Sequence, residues 1–172
     1  AYSENIFLDY FYGTEAANDY VIGTRKNIQN KTPVVIGNYG VNQEGSGDMY
    51  SKGANLLHTI RQLVDNDEKW RKILRGLNKD FYHQTVTTKQ IEDYMSHQSG
   101  IDLTKVFDQY LRDYRIPTLE YKLEGNTLKH RYVDVIPGFT MPVKVNINQK
   151  VQWIFPSDEW KATEVSTKNP TV

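Results

Sequence analysis

The spacing of the apolar residues changes near Pro117, and this change divides the chain of 172 residues into two regions. Before Pro117, apolar side chains recur roughly every three or four residues, which is the repeat of amphipathic helices. After it, Leu119, Tyr121 and Leu123 alternate with polar residues, which is the repeat of strands that bury one face. The sequence therefore predicts an α+β protein, with an all-helical bundle at residues 1–116 and an antiparallel sheet at residues 117–172.

The strongest helical signal lies at residues 45–64, where a glycine-rich loop leads into an apolar stripe (GSGDMYSKGANLLHTIRQLV). Asp48 is a candidate N-cap for this helix, because a carboxylate there can accept hydrogen bonds from the unpaired amides of the first turn. Tyr50 then falls in the first turn, on a rigid element beside a loop. The predicted inner face of the helix consists of Gly53, Leu56, Leu57, Ile60, Leu63 and Val64.

Five further helices are predicted from apolar spacing and from cap signals. The first covers residues 2–12, ends at Gly13 and is rich in aromatic residues, with Ile6, Phe7, Tyr10 and Phe11 on one face. Thr14 is predicted to cap a second helix that runs to about residue 30, and residues 65–67 form a turn that caps the helix after the central one. Thr87 and Gln90 form a capping box for the next helix, which stops at Gly100, and Asp102 caps the last helix.

The β region is predicted to be a four-stranded meander with one apolar face. Gly125 and Asn126 give the signal of a two-residue hairpin turn. Such a face must be covered by a second sheet or by a helix. The tail from residue 161 is polar, and both a further strand and disorder remain open for it. The later strands are predicted to bury Met141, Val143, Val145 and Ile147, and then Val151, Trp153 and Phe155.

Composition excludes several classes of function. Lysine and arginine together number 21, as do aspartate and glutamate, so the formal net charge is zero. This balance argues against a general nucleic-acid or anionic-membrane binder, which needs excess positive charge. The absence of cysteine excludes disulfides, thiol catalysis and cysteine-ligated metal. No apolar run reaches the ~18 residues of a transmembrane helix, so we expect no membrane span in this chain.

No complete catalytic site is visible in the residues alone. The histidines His58, His83, His97 and His130 do not pair at the spacing of a helical metal site, and HExxH is absent. The nucleotide-binding patterns GxGxxG and GxxxxGK[ST] and the nucleophile pattern GxSxG are also absent. On this basis the histidines are interpreted as surface or boundary residues, and Tyr50 as a core or surface tyrosine.

A resemblance changes the interpretation of Tyr50. The string at residues 49–64 resembles a segment of the M1 family of zinc aminopeptidases, the gluzincins related to leukotriene A4 hydrolase, in which a tyrosine precedes a Lys-Gly pair and an apolar helix. The matching residues are Tyr50, Ser51, Lys52 and Gly53, followed by Leu56, Leu57 and Arg61. Other positions are also similar to the family, and they occur in the family's order along nearly the whole chain. They are Ala1 to Glu4 upstream, and Thr87-Thr88, Asp102-Leu103, Phe107, Tyr110-Leu111 and Ile116-Pro117 downstream.

The resemblance implies an architecture and a cofactor. Residues 1–116 would be the C-terminal, helical half of a thermolysin-like catalytic domain, and residues 117–172 would begin a β-sandwich. The HExxH helix, the third zinc ligand and the motif that holds the substrate's amino group would lie before Ala1. The parent protein would bind Zn²⁺ and a peptide substrate. This chain alone would pack against the missing N-terminal half, bind no catalytic zinc and be inactive.

The resemblance also implies roles for two residues. Tyr50 would donate a hydrogen bond to the oxyanion that develops on the scissile carbonyl, since such a donor stabilises the transition state. Glu4 would support the zinc-binding helix, and the alternative for Glu4 is a solvated helix carboxylate.

Two other functions remain open at this point. The first is a non-catalytic scaffold or protein-binding module with a peptidase-like fold, which an HExxH motif upstream would argue against. The second is a free-standing binding module unrelated to peptidases.

Overall fold

A computed structural model describes residues 1–36, 45–147 and 149–165. Helices precede antiparallel strands along the chain, so the predicted α+β class is confirmed. The chain divides into two compact units, Ala1–Tyr114 and Arg115–Val172. This division lies two residues before the boundary predicted from the change in periodicity. Residues 37–44, which lie between the predicted second helix and the glycine-rich loop, are outside the described residues, as are Asn148 and residues 166–172 of the polar tail.

Six α-helices form the first unit within the described residues, and none of them is long and apolar enough to cross a membrane. Their core is built from side chains such as Val21, Ile60, Trp70, Met95 and Phe107. The helices are α1 (Tyr2–Tyr12), α2 (Thr14–Thr24), α3 (Asp48–Val64), α4 (Asp67–Asp80), α5 (Thr88–Ser99) and α6 (Thr104–Phe107), with a 3₁₀ turn at Arg25–Asn27 and a π-helical turn at Asp108–Arg112.

The first helix ends at Gly13 as predicted, but the second helix differs at both ends. Thr14 is the first helical residue instead of the cap, and its hydroxyl donates to the Asp9 carboxylate at 2.9 Å. The predicted end near residue 30 is wrong, because α2 stops at Thr24. The reason is tertiary: the amides of Gln29 and Asn30 donate to a side chain of α3 instead of to helical carbonyls.

The aromatic face of α1 points to solvent. The helix packs on α2 through Asn5, which is fully buried and donates to the carbonyl of Ala17 at 2.7 Å. The opposite stripe remains open, with Phe7 52% exposed, Tyr10 79% and Phe11 62%. Exposed apolar patches of this kind mark interaction surfaces in soluble proteins.

Arg61, near the end of α3, joins three helices. Its guanidinium lies 2.7 Å from the Asp9 carboxylate of α1 and 2.7 Å from the Asp67 carboxylate at the start of α4. A buried guanidinium is stable only when charged partners replace its lost hydration, and these two carboxylates do so. Arg61 therefore fixes the C-terminal end of α3 against its neighbours.

The caps predicted for the two helices after α3 are confirmed, and the cap predicted for the last helix is not. Asn66 caps α4, since its side chain accepts from the Lys69 amide at 2.8 Å. Thr87 and Gln90 form the predicted capping box, and Gly100 ends α5 with a φ of 70°. Asp102 was predicted to cap the last helix, but α6 begins at Thr104 with Leu103 in the cap position. The Asp102 carboxylate instead accepts from the Thr104 amide in the turn before it, at 3.0 Å.

The described residues of the β unit form two sheets, so the predicted four-stranded meander is wrong. The strands are β1 (Thr118–Glu124), β2 (Thr127–Val133), β3 (Val143–Ile147), β4 (Lys150–Ile154) and β5 (Lys161–Glu164). The β1–β2 turn is the predicted two-residue hairpin at Gly125 and Asn126. After β2 the chain leaves this sheet, builds a separate hairpin and returns to pair β5 with β2. The strand order is β1-β2-β5 in one sheet and β3-β4 in the other.

The buried face of β4 is the opposite of the predicted one. Ile154 is 1% exposed, whereas Val151 is 61% exposed and Phe155 is 58% exposed. Cross-strand pairing explains the difference, since directly opposed residues share a face and Ile154 is opposite Val143. Trp153 lies on the outer face, where the Lys144 ammonium is 5.1 Å from its ring centroid. The apolar cluster of this unit contains Leu128, Ile147, Ile154 and Val165.

Truncation of β4 side chains tests this assignment of faces. We expect Ile154→Ala to lower the free energy of unfolding by about 2–5 kcal/mol, because it leaves a cavity in the core. The matched change Val151→Ala on the outer face is expected to cost less than about 0.5 kcal/mol. Urea titrations of both variants give the comparison, and equal losses would contradict the observed face.

Removal of the Arg61 side-chain charge tests the junction of α1, α3 and α4. We expect Arg61→Met to lower the free energy of unfolding by about 2 kcal/mol, because charged hydrogen bonds to Asp9 and Asp67 are lost. Lys72→Met is the control, because both side chains of the Lys72–Glu68 ion pair are exposed. This pair should contribute less than about 1 kcal/mol to the free energy of unfolding.

The same variant should alter the dependence of stability on pH. The hydrogen bond from Arg61 holds the pKa of Asp67 below its ordinary value. A carboxyl group with a lowered pKa in the folded state contributes stability above its unfolded pKa and loses that contribution as the pH falls. Below about pH 4 the wild-type protein should therefore lose stability more steeply than Arg61→Met. Parallel acid slopes in urea titrations would contradict the role of the pair.

Candidate functional site

A cleft of about 510 Å³ opens in the helical unit. The N-terminal half of α3 forms one wall, α5 and the residue before its cap form another, and the α6–π segment contributes the base. Clefts of this size accommodate small ligands or single side chains, and they are usually apolar with a few polar groups. The apolar lining includes Leu57, Val86, Ile91, Met95 and Leu111.

Tyr50 lies at the edge of this cleft, in the first turn of α3 as predicted. Its side chain is 65% exposed. Within the described ranges its hydroxyl has no hydrogen-bond partner, although its backbone amide donates to the Gly47 carbonyl at 3.3 Å. The phenol is therefore held at its backbone and available at its hydroxyl.

Asp48 does not cap its own helix, and this corrects the prediction for that residue. The helix begins at Asp48 with Gly47 as the cap residue, and the Asp48 side chain is 3% exposed. Its two oxygens accept from the amide of Gln29 at 2.9 Å and from the amide of Asn30 at 2.7 Å. The Asp48 carboxylate therefore binds the segment after α2 instead of the first turn of α3.

Lys52 lies one turn further along α3 and is also buried. Its ammonium donates to the carbonyl of Asp113 at 3.1 Å. Burial lowers the pKa of Lys52, while the nearby Asp48 and Asp113 carboxylates oppose that shift. Asp48 and Lys52 lie on either side of Tyr50 in sequence. Together they attach the first two turns of α3 to two distant segments of the helical unit.

Two further polar features line the cleft, and sequence reasoning missed both. The hydroxyl of Tyr2 accepts from the Trp70 indole at 2.7 Å, and burial raises the pKa of Tyr2 to about 12. Glu92 of α5 forms an ion pair with Arg112 at 2.9 Å. Both features connect residues far apart in sequence, so no local pattern predicts them.

The buried position of Lys52 has a signal in the sequence, which is the lysine four residues after Asp48. Opposite charges at this spacing lie on one face of a helix and commonly interact.

Glu4 lies on α1 at the surface, outside the set of residues that line the cleft. Its carboxylate accepts from the Tyr20 hydroxyl at 2.7 Å, and this hydrogen bond lowers the pKa of Glu4. The interaction joins α1 to α2. The structure therefore does not bring Glu4 together with Tyr50 at the cleft, and its predicted support of a zinc-binding helix stays a prediction.

The described residues contain no group of three or more histidine, aspartate or glutamate side chains that could hold a metal ion. Of the four histidines, His130 is buried in the β unit, where burial lowers its pKa and its ring contacts the Thr163 hydroxyl at 3.0 Å. Burial also lowers the pKa of His58 on α3.

Comparison with known proteins adds no assignment, since no protein-family model and no curated protein matches the chain.

Removal of the Asp48 carboxylate tests the attachment of α3. We expect Asp48→Ala to lower the free energy of unfolding by about 2–3 kcal/mol, because two backbone amides lose a charged acceptor. Asp48→Asn keeps one acceptor oxygen and should lose less. Amide hydrogen exchange at Gln29 and Asn30 should accelerate in Asp48→Ala. The control is Asp19→Ala, because the Asp19 side chain is exposed. Unchanged exchange at both amides in Asp48→Ala would contradict the attachment.

Proposed function

We propose that this chain is part of the catalytic domain of an M1-type zinc aminopeptidase, and that Tyr50 stabilises the oxyanion formed during hydrolysis of an N-terminal peptide bond. The observation that carries the proposal is the placement of Tyr50, whose exposed hydroxyl lies at the edge of an apolar cleft without a partner in the described residues. The ordered resemblance at residues 49–64 and at the later helices supports it.

The chemistry of amide hydrolysis explains the need for such a phenol. Negative charge develops on the carbonyl oxygen in the transition state, and a fixed hydroxyl donor stabilises that charge without reorganisation. Removal of one donor of this kind typically raises the barrier by about 2.7–4 kcal/mol. A tyrosine suits the role because its hydroxyl stands at the end of a long, rigid ring.

The attachment of α3 supports the role of Tyr50 physically. A donor contributes most when its position is fixed before the reaction, because a displaced donor must be ordered in the transition state. Asp48 and Lys52 bind neighbouring segments through charged hydrogen bonds and thereby fix the backbone on both sides of Tyr50.

The proposal requires residues outside this chain. The described residues provide no ligand set for zinc, so the proposal places the zinc ligands in a preceding half of a thermolysin-like domain. Zinc bound there would supply the activated water and polarise the carbonyl. The exposed aromatic stripe of α1, with Phe7, Tyr10 and Phe11, is the surface that we propose packs against that half.

Kinetics of the full natural chain test the proposal. Hydrolysis of amino-acid amides should require metal and stop with a chelator. Tyr50→Phe should lower kcat by about a hundredfold or more with little change in KM, because the lost hydrogen bond forms only in the transition state.

Tyr82→Phe is the matched control, since Tyr82 is a similarly exposed tyrosine that does not line the cleft. Its kcat should equal that of the wild type. A natural chain with neither bound zinc nor chelator-sensitive hydrolysis would overturn the proposal and favour the alternative, a non-catalytic scaffold or protein-binding module.

A further inference from the structure

His130 is a buried titratable residue that the proposed function does not use. It occupies the middle of β2 and is 1% exposed. Its ring nitrogen Nε2 lies 3.0 Å from the hydroxyl oxygen of Thr163 in β5. Its other ring nitrogen, Nδ1, is buried without a hydrogen-bond partner in the described residues. Because a neutral imidazole carries a donor on one nitrogen and an acceptor on the other, either tautomer leaves one polar atom uncompensated.

The contact with Thr163 reaches the last strand of the sheet. β5 has four residues and lies at the edge, where its one partner strand within the described residues is β2. Beyond the end of β5, the amide of Val165 donates to the carbonyl of Asn126 at 2.7 Å. Short edge strands have few contacts and open more readily than central strands, so one unfavourable contact at His130 has a large effect on the pairing of β5.

No carboxylate of the described strands β1, β2 and β5 faces His130. Directly opposed residues share a face of a sheet, which places Tyr121 of β1 and Lys161 of β5 on the face of His130. Successive residues alternate between faces, so the glutamates of these strands lie on the other side of the sheet. These glutamates are Glu120, Glu124 and Glu164.

The described residues of the second sheet add no negative charge either. This sheet meets the same face through apolar side chains, which form a cluster with Leu128 of β2. Its charged side chains, Lys144 and Lys150, are exposed. A protonated His130 would therefore be a buried cation beside Lys161, without a counter-ion among these strands.

Burial, and then the charge of Lys161, lower the pKa of His130 below its ordinary value. When β5 is released, water reaches the ring and the pKa returns to the ordinary value of about 6.5. Because the released state then binds the proton more tightly than the paired state, the pairing is stable above this pH and loses stability as the pH falls below it.

We propose that His130 makes the pairing of β5 with β2 sensitive to pH, so that mild acid releases β5 from the edge of the sheet. Release would uncover the edge of β2 and the side chains of Leu128 and Val165, which are buried while β5 is paired. The release is independent of zinc and of peptide hydrolysis.

Hydrogen exchange of the full natural chain, followed by mass spectrometry, tests this release. After correction for the intrinsic effect of pH on exchange, residues 161–165 should open about five- to tenfold more often at about pH 5.5 than at about pH 7.5, because the ordinary histidine pKa lies between them. Residues 118–124 should keep their protection, since β1 pairs with the other side of β2. Unchanged exchange at residues 161–165, or an equal increase at residues 118–124, would overturn the proposal.

Two variants identify the titrating group. His130→Gln keeps a polar side chain that does not titrate, and it should abolish the acid response. His97→Gln is the matched control, because His97 is exposed on α5, and it should respond like the wild type. Lys161→Met removes the neighbouring charge from an exposed position and should move the opening to lower pH. An acid response that persists in His130→Gln, or an unchanged opening pH in Lys161→Met, would overturn the proposal.

Discussion

The buried carboxylate of Asp48 is the interaction on which the helical unit depends most. It accepts two backbone amides from the segment after α2, and so it replaces helical hydrogen bonds that this segment would otherwise make. The result is both the early end of α2 and the fixed start of α3. At the other end of α3, Arg61 binds carboxylates of two further helices. The central helix is therefore held by charged groups at both ends and by apolar contacts between them.

These charged contacts explain why the α3 wall of the cleft is largely apolar. Because the charged groups of α3 are engaged with neighbouring segments, the helix presents small and apolar side chains to the cleft, together with one exposed phenol. The two tyrosines at the cleft differ in their exposure. Tyr2 is half-buried and its hydroxyl accepts from the Trp70 indole, whereas the Tyr50 side chain is exposed. The cleft therefore combines an exposed hydroxyl donor with an adjacent apolar space.

The β unit shows how a regular pattern can be consistent with two structures. Alternation predicts strands at nearly the observed positions, and the hairpin turn is fixed by its own two residues, Gly125 and Asn126. Alternation does not state which strands pair, however, and in β4 both faces carry apolar residues. The buried face of β4 is decided by the pairing of Ile154 with Val143 and by the packing of Ile154 in a cluster with Val165. These partners lie outside β4, so the alternation within the strand does not reveal them.

The sequence by itself determined the α+β class, most helix positions, the capping box at Thr87 and the placement of Tyr50 in the first turn of α3. Each of these depends on residues within a few positions of one another, where hydrogen bonding and apolar spacing act locally. Tertiary structure decided that Asp48 binds the segment after α2, that the aromatic face of α1 is exposed, and that the strands form two sheets. Those outcomes depend on which distant groups meet, because a buried polar group must find a partner wherever the fold provides one.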